Sequence, residues 1–188
     1  MIDVKVSGEA KPHGSLVLGL GHDVVDVADF AQQLDEPGSR GRLLFSAREL
    51  RQASVRARLK HDDEAAHLAV RWAGKEAVLK AWCEALGERP NPYTLDDFPW
   101  AQVEILDDSR SRPRVVLVRD CEAMLLKSLG ANQTETAVTD ETSSAEDSFA
   151  SDRQLRGTQP LALRWHVSLS HDGPVASAVA VLVGGFGL

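Results

Sequence analysis

Fifteen residues, Leu68 to Trp82, constrain this chain more than any other stretch: Leu-Ala-Val-Arg-Trp-Ala-Gly-Lys-Glu-Ala-Val-Leu-Lys-Ala-Trp. Apolar side chains recur at Leu68, Trp72, Leu79 and Trp82 with alanines between them, the pattern of a largely buried helix. Arg71, Lys75, Glu76 and Lys80 are set into it. Glu76 and Lys80 are four positions apart and so share a face. As a plain surface ion pair they would contribute roughly 0.2–0.5 kcal/mol. Gly74 points to something more specific. A glycine inside a helix costs about 1 kcal/mol against alanine, so it marks close approach by another backbone or a ligand.

The chain has 188 residues, enough for one domain with a real core and too few for two. No run approaches the 18 or so apolar residues of a membrane helix. The first residues, MIDVKVSGEAKPHG, lack the apolar centre of a signal peptide, so the expected compartment is the cytoplasm. Cys83 and Cys121 fall in helical patterns without zinc-type spacing and read as buried thiols. A net charge of −7 argues against a general nucleic-acid binder. Positions 40–60 nevertheless carry Arg40, Arg42, Arg48, Arg51, Arg56, Arg58 and Lys60 against the single acid Glu49.

Residues 1–14 read as a loose polar arm, and 15–188 as a single domain. Leu16 to Val25 is a buried strand in which Gly19, Gly21 and Asp23 share one face by period two. Burying Asp23 there is costly unless something pairs with it. A short helix follows over Ala28–Leu34 and ends at Pro37-Gly38. Ser46-Ala-Arg-Glu49 is a capping box that starts a helix running to Lys60. Asp62 or Asp63 caps the central helix, and Gly87 ends it. Ala101–Leu106 and Arg114–Val118 form a hairpin closed by the polar turn Asp107–Pro113, after which Asp120 caps a helix that stops at Gly130. The stretch from 131 to about 159 is acidic and poor in apolar residues, and reads as a disordered insertion. Leu161–Ser170 alternates as a strand, His171-Asp-Gly-Pro turns, and Val175–Val183 returns. The order β-α-α-α-ββ-α-ββ predicts an α+β domain with helices packed on an antiparallel sheet.

Asp23, Glu76, Lys80 and His171 are polar groups embedded in apolar elements. Two carboxylates from separate elements suit Mg²⁺, which keeps several waters and takes one or two protein carboxylates plus substrate phosphates. A nearby lysine can neutralise charge developing on a phosphoryl group. Equally, Asp23 could cap the next helix and His171 could be a surface turn residue; spacing leaves both open.

Three motifs carry a resemblance. Gly19-Leu-Gly-His-Asp23-Val-Val-Asp26 resembles the opening Gly-x-Gly-x-Asp-hydrophobic-hydrophobic-acid motif of holo-acyl-carrier-protein synthases, the small branch of the 4'-phosphopantetheinyl transferase superfamily. Arg71-Trp-Ala-Gly-Lys75-Glu76-Ala-Val-Leu-Lys80-Ala81 resembles that family's second motif, and Trp165-His-Val-Ser-Leu-Ser-His171-Asp its third. The likeness spans about Leu16 to Val183, excluding the acidic insertion.

The resemblance implies transfer of the phosphopantetheine arm of coenzyme A to a serine of an apo acyl carrier protein or carrier domain. The reaction would be Mg²⁺-dependent, release adenosine 3',5'-bisphosphate and support fatty acid biosynthesis. By motif position Asp23 and Glu76 hold Mg²⁺, and Lys80 balances phosphate charge or assists the leaving group. Arg71, Lys75 and His171 are candidates for the other coenzyme A phosphate contacts. Glu76 would deprotonate the serine, directly or through a water on the metal. The family's small members are homotrimers with active sites at subunit junctions. Many also carry a carrier-gripping arginine where this chain has Asp29, and a glycine-rich loop where it has Trp-Cys-Glu-Ala-Leu-Gly87. Docking of the acidic carrier would then fall to Arg48, Arg51 and Arg56. Two other classes are weighed: another Mg²⁺-dependent phosphate-transfer or hydrolysis enzyme, and a non-catalytic carrier-binding module.

Overall fold

The structure, a computed structural model, describes residues 15–130 and 161–186. The expected arm at 1–14 and the expected insertion at 131–159 lie outside the described residues. Five strands and four α-helices follow one another in the predicted order. They are β1 (Ser15–Asp26), α1 (Val27–Asp35), α2 (Ala47–Lys60), α3 (Glu64–Leu86), β2 (Val103–Asp107), β3 (Pro113–Leu117), α4 (Arg119–Ser128), β4 (Leu161–Asp172) and β5 (Val175–Phe186). One antiparallel sheet runs β1-β5-β4; β2 and β3 form a separate hairpin.

α3 is the axis of the molecule. Leu68, Ala69, Ala73, Ala77, Val78, Ala81 and Trp82 are all but inaccessible, so the helix is enclosed on several sides. Its closest neighbour is β1, and the glycines explain how. A methyl built at Gly21 would overlap the carbonyl oxygen of Ala77 and lie 2.7 Å from Ala81 N. One at Gly19 would overlap Ala81 O and lie 2.9 Å from Ala85 N. Hydrogen in place of Cβ lets strand and helix backbones touch. Gly74 works differently: a methyl there would meet the side chains of Ile105 and Leu169 at 3.0 and 3.3 Å, not a backbone or ligand surface.

The caps mostly follow the sequence. Ser46 and Glu49 complete the capping box of α2, and Asp63 accepts from Ala65 N to start α3. Gly87 ends α3 at φ 59°. Asp26, not Asp23, caps α1 by accepting from Ala28 N and Asp29 N. Asp120 does not cap α4: the cap position is Val118, and Asp120 lies inside the first turn. Of the two thiols, Cys121 is buried but Cys83 only half-buried.

Between the helices and the hairpin lies one fully buried ion pair. Lys75 Nζ donates to Glu49 Oε2 at 2.8 Å and to the carbonyls of Trp100 (2.8 Å) and Val103 (2.6 Å). Both side chains have zero exposure. Glu49 also accepts from Ile105 N and Ser46 N. All three ammonium protons are therefore used, as a buried charge requires.

Candidate active site

The glycine face of β1 continues into Asp23, two residues beyond Gly21. The same close approach therefore delivers its carboxylate to α3. Lys80 Nζ donates to Asp23 Oδ1 at 2.7 Å and to His22 O at 3.1 Å. Asp23 is buried, and its Oδ2 has no hydrogen-bond partner among the described residues. Glu76 sits one turn before Lys80, and its pKa is pushed up to about 7. Burial is the largest cause, the Asp23 charge and hydrogen bonding come next, and Lys80 pulls the other way. Two carboxylates thus share one small volume beside one ammonium. The surface Glu76–Lys80 pair is not formed; Lys80 turns to Asp23 instead.

This donor set fits Mg²⁺. Among the described residues no three or more His, Cys, Asp or Glu side chains converge into a protein cage. Two carboxylates, one with an unpaired buried oxygen, fit a cation that completes its shell with water and phosphate.

Arg71 and His171 meet elsewhere. They line a cavity of about 370 Å³ together with Arg56, Lys60, His67 and Asp107. Arg71 is 3% exposed; its Nη1 donates to His67 O at 2.9 Å and its Nη2 to Asp107 Oδ2 at 3.1 Å. Burial lowers its pKa, and Asp107 opposes that shift. Burial, then Lys60 and His67, hold the His171 imidazole below its ordinary range. Its edge-to-face neighbour His67, 5.6 Å away between centroids, hydrogen-bonds Asp62 at 2.8 Å. Arg71 and Lys80 are nine residues apart, which is half a turn in azimuth and roughly 13.5 Å of rise. The cavity and the carboxylate pair therefore occupy opposite faces of α3.

The structure separates Lys75 from the site. Its motif position suggested a phosphate contact, but its ammonium is consumed inside the core by Glu49 and two carbonyls. Of the proposed docking arginines, Arg48 forms a two-pronged ion pair with Glu104, and Arg56 reaches Asp107 at 3.3 Å. Arg51 is exposed and has no acidic partner among the described residues. Sequence reasoning missed Asp107, His67 and Lys60 as cavity residues. Asp107 read as a turn, and nothing local announces that it faces α2 and α3.

The family model described as the 4'-phosphopantetheinyl transferase superfamily matches residues 19–139. A holo-[acyl-carrier-protein] synthase of Bifidobacterium animalis subsp. lactis is 52% identical over 169 residues, covering 88% of this chain and 97% of the relative. The synthase of Bifidobacterium adolescentis is 47% identical over 173 residues, 88% and 99% of the two chains. Among solved structures, an ACPS–CoA complex from Chronobacterium ammoniagenes superposes with a TM-score of 0.65 at 29% identity, covering 90% of this chain and 96% of that one. With Asp23, Glu76 and Lys80 at one strand–helix crossing, and with relatives this close over nearly their full length, the chain belongs to the holo-[acyl-carrier-protein] synthases of the 4'-phosphopantetheinyl transferase superfamily.

Proposed function

We propose that this protein transfers the phosphopantetheine arm of coenzyme A to a serine of an apo acyl carrier protein with the help of Mg²⁺, releasing adenosine 3',5'-bisphosphate and serving fatty acid biosynthesis. The convergence of Asp23 and Glu76 beside Lys80 carries the reading. Asp23 and Glu76 are the residues that would hold the metal. Bound there, Mg²⁺ would supply positive charge to the pyrophosphate at the bond that breaks. Lys80, 53% exposed at its side chain, can swing from Asp23 to the phosphates and balance charge on the departing bisphosphate. Glu76 is the group placed to take the serine proton, directly or through a water. Mass spectrometry tests the whole. An apo carrier incubated with enzyme, coenzyme A and Mg²⁺ gains one phosphopantetheine, and Asp23→Ala or Glu76→Ala abolishes the gain. An arm released free in solution would instead mean hydrolysis.

Arg71 and His171 serve the remaining phosphate of coenzyme A. The pyrophosphate and the 3'-phosphate hang from one ribose, too short a span for both faces of α3 in a single copy. That supports a trimer whose sites are completed across subunit junctions. The outward face of β1 supports it as well, with Leu16, Val17, Leu20 and Val24 between 52% and 64% exposed.

Carrier docking on the basic α2 surface rests chiefly on Arg51. α1 offers Asp29 and Asp35 to an acidic partner and so repels it. Arg51→Glu raises KM for the carrier, leaves KM for coenzyme A alone, and weakens the salt dependence of association. A carrier KM that does not move would place docking elsewhere. Both cysteines are unpaired, which fits a cytoplasmic setting.

A further inference from the structure

Asp107, the last residue of β2, stands between two guanidiniums. Its Oδ2 accepts from Arg71 Nη2 at 3.1 Å and from Arg56 Nη2 at 3.3 Å. Its backbone is held in turn by one side chain. Gln52 Oε1 accepts from Asp107 N at 2.9 Å, and Gln52 Nε2 donates to Asp107 O at 3.0 Å. β2 has a strand neighbour, β3, on one edge only, and on the other edge Gln52 supplies both partners from α2. The Arg71 guanidinium is thereby pinned at two corners, through Asp107 and His67 O. Its Nε is buried and has no partner among the described residues. A planar fork with a free, fixed donor is suited to a phosphate oxygen.

The charge balance agrees. Arg56, Lys60 and Arg71 line the cavity against the single lining acid Asp107, leaving an excess of two positive charges. A phosphomonoester carries about −1.5 to −2 at neutral pH. Coenzyme A has one such group, the 3'-phosphate; its pyrophosphate falls to Asp23 and Glu76. Without Asp107 the two guanidiniums would repel each other and spread. With it they face the cavity before any ligand arrives, so less ordering remains at binding.

We infer that Asp107, clamped by Gln52, is a positioning residue that aims Arg56 and Arg71 at the 3'-phosphate of coenzyme A. The inference rests on the transfer reading above. It predicts a selective defect: Asp107→Asn raises KM for coenzyme A about tenfold with kcat nearly unchanged, as loss of uniform binding does. KM for 3'-dephospho-coenzyme A, which lacks the group, stays where it was. Gln52→Ala, which removes hydrogen bonds to the Asp107 backbone and none to a cavity-lining side chain, reproduces the selective defect.

The experiment measures carrier modification with both donors for the native chain and the two variants, with a thermal melt of each. KM rising for coenzyme A alone supports the inference. KM rising equally for both donors, or for neither, overturns it and leaves transfer standing. If Asp107→Asn does not fold, Gln52→Ala decides: an unchanged ratio of the two KM values overturns the positioning role. A native chain that modifies the carrier with neither donor brings down the transfer reading itself, and this inference with it.

Discussion

Lys75 and Lys80 lie five positions apart in one motif and do opposite things. Helical geometry turns five residues through about 140°, which separates an interior face from a solvent face. Lys75 neutralises Glu49 in the core; Lys80 reaches out to Asp23. Lys75→Met leaves an uncompensated buried carboxylate and should cost about 3–5 kcal/mol of stability. Denaturant unfolding measures this, while KM for coenzyme A in the folded fraction stays constant. A raised KM without loss of stability would return Lys75 to the site. Lys80→Ala should do the reverse, lowering turnover more than coenzyme A affinity, with little change in melting temperature. Equal losses in both would make it a simple binding contact. The sequence could name Asp23, Glu76 and Lys80 because charges in apolar runs are conspicuous. It could not show that Lys75 points inward, because its partner Glu49 sits 26 residues earlier behind an ordinary capping box.

Elements were more legible than contacts. Periodicity and caps located β1, α2, α3, β4 and β5 to within a few residues, since each carries its own pattern. The hairpin starts two residues later than alternation suggests, because Trp100–Gln102 forms a 3-10 turn, with the Trp100 ring edge-to-face against Phe98 before it. The period-two glycines of β1 foretold a shared face, but not that α3 would rest on it. Gly21→Ala tests that crossing. The added methyl must push α3 off the strand, an overpacking cost on the order of 1–3 kcal/mol. Because Asp23 follows on the same face, the push also parts it from Glu76, so activity should fall further than stability accounts for. Near-normal turnover in a destabilised Gly21→Ala protein would show that the carboxylates tolerate the displacement. Gln52 and Asp107 were invisible at this scale, since 55 residues separate partners whose local patterns read as helix and turn.

At the scale of the molecule, the half-turn between Arg71 and Lys80 would, in the proposed trimer, make each copy a donor of two different half-sites. A ring built head to tail then pairs the carboxylate face of one copy with the cation face of the next. Its consequence is genetic as much as chemical. Asp23→Ala and Arg71→Ala chains, each defective alone at low coenzyme A, should complement one another when co-expressed. In randomly mixed rings about one junction in four unites two undamaged half-sites. Recovered carrier modification near that fraction, and none on mixing extracts of the separately assembled proteins, would mark a catalyst that no single polypeptide contains.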